Sequence, residues 1–383
     1  MKVERRYHLT FSDFFFIGIT VLLGLGAINS QNNLLFVIFG LALGAILASG
    51  LISGTMLLGI EIEREISGER SVGHPMHIRY RVRNRARFLP AFCLLIEEWP
   101  GSDVVDWKSR VEPPLAFVGH VGAKETVLAE TTAWPLRRGT LALDVVEVSS
   151  RFPFGLLRKG VRFHMPRDVL VQPRMWPLQR DTVARLASSA ELGQLSSREQ
   201  GRGDEFYSLR EYVPGDSMRM VAWRASARSD ALLVREYARP ATTRFAIIIN
   251  VSGHEASEDA DERAIVLGAS LLREGVLRGY EVGVVVPNFG MAHRPVSGAR
   301  HLSPPLDMLA QIDLSTPDET TELDAVIEGL LHGEMRGRHV TSIVVHADAV
   351  DAGVGPRDAI HFSAADLTRY CRVDEALPAE ADA

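Results

Sequence analysis

The chain has 383 residues, 46% of them apolar, with a net charge of −6 at pH 7; that is too long for one ordinary domain and apolar enough for two or three cores. The charge is uneven: residues 151–240 carry 16 Lys+Arg against 10 Asp+Glu (+6), and residues 241–383 carry 11 against 23 (−12). A basic middle and an acidic end, with no basic tail, suit polar contacts between domains or with a charged partner and exclude a nucleic-acid binder. Cys93 and Cys371 lie too far apart for a metal or redox motif and read as reduced cytosolic thiols.

In chain order, the first elements are apolar. Phe14 to Ile28 carries no charge, and neither does Leu34 to Ile60. A spanning helix needs about 20 apolar residues; the second segment has them outright, the first only if it includes Leu9 to Asp13. The polar turn Asn29-Ser-Gln-Asn-Asn33 between them predicts an antiparallel transmembrane hairpin over residues 1–60. A cleaved signal peptide is disfavoured because no small-residue cleavage site precedes the second segment. Lys2, Arg5 and Arg6 precede the first helix and the turn has no Lys or Arg, so the positive-inside rule places the N-terminus in the cytoplasm of a bacterial inner membrane. Two crossings then return residues 61–383 to the cytoplasm. Gly40/Gly44 and Gly50/Gly54 are spaced for close helix contact, either sealing the hairpin or forming a homo-oligomer.

Residues 61–172 have the grammar of a β-sandwich. His77 to Arg83 alternates, with Ile78, Tyr80 and Val82 on one face and Arg79, Arg81 and Arg83 on the other. Phe92–Ile96 and Leu141–Val148 are further strands. Residues 173–243 form a linker rich in paired charge. Over residues 244–374 the pattern changes to continuous apolar runs, Phe245–Ile249, Val282–Val286 and Ile343–Val345, as central parallel strands require. Two amphipathic patterns, Ala264 to Val276 and Leu323 to Leu331, separate them. The expected class is therefore multidomain α+β: a helical hairpin, a β-sandwich and a doubly wound α/β domain, with a frayed acidic tail over 375–383. Ligands of such sheets bind at the strand C-termini, here Asn250-Val-Ser252-Gly-His254, Pro287-Asn288 and His346-Ala-Asp348.

The densest stretch is Gly201 to Arg228. It holds Glu205-Phe206, Leu209-Arg210-Glu211-Tyr212, Pro214-Gly215-Asp216, Arg219, Trp223 and Ala227-Arg228. This ordered set resembles the signature of the domain-of-unknown-function 58 family. Arg137-Arg-Gly139, Ser150 to Leu156 and Gln172-Pro-Arg174 agree with it, as do the paired N-terminal helices. The resemblance implies a C-terminal von Willebrand factor A-like domain and a partnership with a MoxR-type AAA+ ATPase. It also implies a metal site, whose matching positions are Asn250, Ser252 and His254, then Thr320 or Thr321, then Asp348. Asn250 removes a charge that Mg²⁺ would want, and His254 replaces a hydroxyl, so the site is degenerate and no cofactor is expected.

The charged residues Glu205, Arg210, Glu211, Asp216, Arg219 and Arg228, with Tyr212, Gly215 and Trp223, have two readings. Either Arg219 and Arg228 pair with Glu205, Glu211 or Asp216 to clamp two domains, or the segment is a surface that docks a partner. Arg202-Gly-Asp204 matches an integrin tripeptide only by chance in a cytosolic chain. Gly203 to Phe206 lacks the first glycine of a cyclase motif, and His74-Pro-Met-His77 lacks a third ligand. No Walker A loop, nucleophile elbow or His-Glu-x-x-His helix occurs. The leading expectation is a non-enzymatic membrane adaptor for an AAA+ ATPase or its client. A metal-dependent protein-binding module comes second, and a hydrolase using Asp216 or His254 as base comes third.

Overall fold

A computed structural model describes residues 3–8, 11–100, 107–155, 157–196, 200–201, 205–229, 231–238, 244–252, 258–314, 340–348, 350, 356 and 359–373. The chain divides into two compact units, Met1–Gln172 and Pro173–Ala383.

The first unit begins with strand β1 (Val3–His8) and helices α1 (Phe11–Ser30) and α2 (Asn33–Met56). Strands β2 (Ile60–Gly68), β3 (Met76–Asn84) and β4 (Ala91–Trp99) follow, then the short helix α3 (Trp107–Arg110). The unit ends with β5 (Val111–Glu112), β6 (Leu115–Val121), β7 (Thr126–Pro135), β8 (Gly139–Ser150) and β9 (Arg158–Val171). Two sheets form, ordered β1-β9-β8-β4-β6 and β2-β3-β7-β5, with antiparallel pairing throughout. The alternation predicted for β3 is realised: Met76, Ile78, Tyr80 and Val82 are buried, while His77, Arg79, Arg81 and Arg83 are exposed. Ile62, Ile78 and Val82 of one sheet share an apolar core with Leu94, Ile96, Val148 and Phe163 of the other.

A polar cluster lies inside that core. Arg64 Nη1 donates to Glu98 Oε2 at 2.7 Å, and Tyr80 Oη donates to Glu98 Oε1 at 2.8 Å. Arg64 Nη2 donates to the carbonyls of Leu143 and Met165. Both charged side chains are almost fully enclosed. Burial pushes the Glu98 carboxyl pKa up, against the opposing pull of Arg64 and Tyr80. Burial, with the Glu98 charge beside it, also raises that of Tyr80.

The two helices are joined at Gln31 and Asn32, and the Asn32 side chain caps α2 by accepting from Leu34 N–H at 2.9 Å. The expectation of two full spans needs correction. Among the described residues one helix, Asn33–Gly59, is long and apolar enough to cross a membrane, and a shorter apolar helix covers Phe14–Ser30. The glycine pairs do not seal the hairpin. A Cβ at Gly40 or Gly44 would meet open space, whereas Gly50 and Gly54 face Leu157 and Lys159 of the same unit. The close helix approach is at Gly24, where a Cβ would lie 2.8 Å from the Phe39 ring.

The second unit contains α4 (Arg180–Ser196), β10 (Gln200–Gly201), β11 (Glu205–Glu211), α5 (Trp223–Ser226), β12 (Leu233–Ala238) and β13 (Arg244–Asn250). It continues with α6 (Glu258–Leu277), β14 (Glu281–Val286), β15 (Met291–Val296), α7 (Ser303–Ala310), β16 (Val340–His346), β17 (Ile360–Ser363) and α8 (Leu367–Tyr370). Its main sheet is ordered β15-β14-β13-β16-β17. It is parallel except for the β14–β15 edge, hence mixed. The three apolar runs became β13, β14 and β16, buried as central strands must be. The face of α6 bearing Ala264, Leu267, Leu271 and Val276 covers them, and Gly268 lets it approach: a Cβ there would lie 2.3 Å from Ile249 Cδ1. Met175, Leu178 and Leu186 complete this core. The helical pattern at Leu323–Leu331 lies outside the described residues.

Candidate functional site

The dense segment folds as an antiparallel hairpin. β11 and β12 pair from Glu205↔Ala238 to Glu211↔Leu233, and the described residues 212–229 and 231–232 form its tip. Pro214 and Gly215 turn the chain; Gly215 has φ +115°, where a side chain would be strained. Asp216 locks the turn. Its two carboxylate oxygens each accept from Arg210, Oδ2 from Nη1 and Oδ1 from Nη2, both at 2.7 Å. Oδ2 also accepts from Val213 N–H at 3.0 Å. These donors hold the Asp216 carboxyl at a pKa of about 2, with Arg210 the main cause. Val221 and Ala222 are buried, and Ala222 N–H donates to Leu233 O at 2.8 Å, tying the tip to β12.

The expected pairing therefore takes a different form: Asp216 pairs with Arg210, six residues back on the strand, and not with Arg219 or Arg228. Those two arginines are exposed. Glu211 is exposed, and its carbonyl accepts from Arg210 Nη1 at 3.0 Å. Tyr212 is half-buried, its N–H donating to Leu232 O at 2.8 Å. The side chain of Glu205 lies outside the described residues. The apolar residues point outward instead: Trp223 is 58% exposed, Val213 57% and Met218 53%. Leu209 and Leu232 are exposed as well. Arg210 and Asp216 hold the turn, and the surface mixes apolar side chains with Glu211, Arg219 and Arg228.

The second candidate region is the C-terminal edge of the main sheet. Asn250 ends β13 opposite His346 at the end of β16. Ser252 is engaged: its N–H donates to Asp261 Oδ1 and its Oγ to Oδ2, both at 3.0 Å. Asp348 is exposed, and its backbone carbonyl accepts from Ser363 Oγ. Thr320, Thr321 and His254 lie outside the described residues. Asn250 supplies no charge to a hard dication, and Ser252 is held by the Asp261 carboxylate. Among the described residues no group of three His, Cys, Asp or Glu side chains is placed to hold a metal ion. Two partners escaped the sequence reading. One is Asp261, an acidic residue in the first turn of α6, a position that favours carboxylates. The other is His361, whose Nδ1 lies 2.9 Å from His346 Nε2.

Residues 208–364 match the model of the family described as "Protein of unknown function DUF58". No curated protein matches the chain. A solved structure similar to it is the GH20 exo β-N-acetylglucosaminidase from Vibrio harveyi in complex with N-acetylglucosamine. It is 7% identical, with 75% of this chain and 57% of that chain covered and a TM-score of 0.17. This chain thus spans little more than half of that structure, and so low a score carries no argument about fold or activity.

Proposed function

We propose that this protein is a non-enzymatic membrane-anchored adaptor. Its hairpin tip docks a protein partner, a MoxR-type AAA+ ATPase or a client of one. The observation that carries the reading is the exposure of Trp223, Val213 and Met218 on a turn held rigid by Arg210 and Asp216. Exposed aromatic and apolar side chains on a preorganised surface suit interface hot spots. A hydrolase using Asp216 finds no support, because a carboxyl held at about 2 is a poor general base at neutral pH.

The anchor is α2, with α1 beside it. β1 precedes both helices and pairs with β9, which follows both. That pairing supports α1 entering the membrane beside α2, so that both ends of the helical pair lie on one side. With Lys2, Arg5 and Arg6 at the start and an uncharged turn, that side is the cytoplasm. A von Willebrand factor A-like arrangement of the second unit is consistent with its mainly parallel sheet.

The test is co-purification of tagged full-length protein from solubilised native membranes. An ATPase captured by the native protein and lost by Trp223→Ala, with an unchanged melting curve, supports the reading. Capture of none by the native protein, or equal capture by both, overturns it.

A further inference from the structure

We infer that one end of the first unit is a lipid-facing rim that seats on anionic headgroups; the inference rests on the membrane-anchored reading and adds a second contact to it. Every connection to the helical pair emerges at this end. β1 finishes there, with His8 opposite Arg158. α2 delivers the chain there to Ile60, opposite Asn84. Three loops share the end: residues 85–90 between β3 and β4, 122–125 between β6 and β7, and, between β8 and β9, the described residues 151–155 and 157.

The loops are built rather than loose. Buried Asn84 donates to the carbonyls of Leu89 at 2.8 Å and Val121 at 3.2 Å. Arg85 N–H donates to Gly59 O at 2.7 Å. Phe152 stacks on Phe92 at 4.8 Å, and Gly155 N–H closes a turn on Arg151 O at 2.8 Å. Yet their tips carry apolar groups into the open. Phe88 is 79% exposed and Phe154 57%; Leu89 and Leu58, the latter just before β2, are also exposed.

The rim meets α2 at a definite height. A Cβ on Gly50 would lie 3.7 Å from Leu157 Cδ1, and Lys159 Nζ donates to Gly50 O. Ser49, Ser53 and Met56 are buried on the same side of the helix. The apolar helix thus packs against the strand that leaves the loop bearing Phe154. The surrounding charge is basic: Arg85, Arg87, Lys124 and Arg151 are exposed. Of the acidic residues nearby, Glu61 pairs with Arg85 at 2.6 Å, and Glu125 accepts from Gly122 N–H at 2.5 Å. Arg87 lies over Phe88, 5.3 Å from the ring centroid. Aromatic rings among cations at the base of an apolar helix suit the headgroup layer, and each basic group near an anionic surface strengthens binding about fivefold.

The experiment uses the full chain in nanodiscs of phosphatidylcholine, with and without phosphatidylglycerol. A nitroxide label is placed at position 88 (Phe88→Cys) or, as control, at the opposite turn (Arg137→Cys), in a Cys93→Ser background with buried Cys371 left in place. Oxygen against nickel accessibility reads depth. The expected result is a lipid-phase signal at 88, an aqueous signal at 137, and loss of the signal at 88 in the Arg87→Glu/Lys124→Glu/Arg151→Glu variant. An aqueous signal at 88 in protein that remains in the disc overturns the rim and leaves the anchor standing. A lipid-phase signal at 88 indifferent to lipid charge and to the triple variant overturns the headgroup assignment. Failure of the chain to enter discs overturns the anchored reading, and the rim with it.

Discussion

Arg210 and Asp216 face each other as a two-pronged ion pair, each Nη nitrogen 2.7 Å from its own carboxylate oxygen. Planar forks of this kind fix geometry as well as charge. Because the folded Asp216 carboxyl has a pKa of about 2, below its ordinary 3.8, the sign of the pH effect is set. The stabilisation is fully present above pH 3.8 and is lost as pH falls through about 2. Amide exchange at Val213, whose N–H donates to Asp216, should accelerate in that window relative to a buried β13 amide. Asp216→Asn should show the accelerated exchange already at neutral pH.

The buried Arg64–Glu98–Tyr80 cluster carries a second prediction. Removing one partner leaves the other charge enclosed without compensation, so Glu98→Ala should destabilise the first unit by about 3–5 kcal/mol. Tyr80→Phe removes one hydrogen bond to a charged group and should cost about 1.5–3 kcal/mol. Urea unfolding followed by near-ultraviolet circular dichroism reads both. Equal small losses would show that water reaches the cluster.

Gly268 tests the packing of α6 on the sheet. Gly268→Ala places a Cβ 2.3 Å from Ile249 Cδ1 and should cost about 1–3 kcal/mol through overpacking. Ile249→Val removes that methyl and alone costs about 0.5–1.5 kcal/mol. The double variant should therefore lose less than the sum, and a thermodynamic cycle measures the difference.

Leu41 sits on the open face of α2, 69% exposed. Leu41→Arg puts a charge in the only apolar helix of spanning length among the described residues. It should weaken membrane insertion by about 2.5–3.5 kcal/mol. Alkaline carbonate extraction then releases the variant and retains the native protein.

What the sequence made legible follows from periodicity. The alternation at His77–Arg83 gave a strand with alternating burial, and the runs at Phe245, Val282 and Ile343 became buried strands because both faces of a mainly parallel sheet are covered. What stayed hidden depends on partners distant in the chain. Nothing in Glu61-Ile-Glu63-Arg64-Glu65 marks Arg64 as the buried charge; that follows from Glu98, 34 residues on. The hairpin of β11 and β12 was masked because charge interrupts its alternation and its tip is long. Within it, the charged residues read equally as an interdomain clamp or a docking set. The described structure uses Arg210 and Asp216 to brace the turn and leaves Trp223 outside, a division that composition does not encode. The Ser252–Asp261 contact likewise needs the register of α6 against β13.

β1 has one further consequence, for anyone preparing a soluble form. It is the outer neighbour of β9 in a five-stranded sheet. A fragment begun after α2 would lack it and present the N–H and C=O groups at the Arg158–Phe163 end of β9 as an open edge, a template for pairing with other molecules. Such a fragment should self-associate. Excising the helices while keeping Val3–His8, joined by a linker to Ile60, preserves the edge protection and yields the monodisperse form.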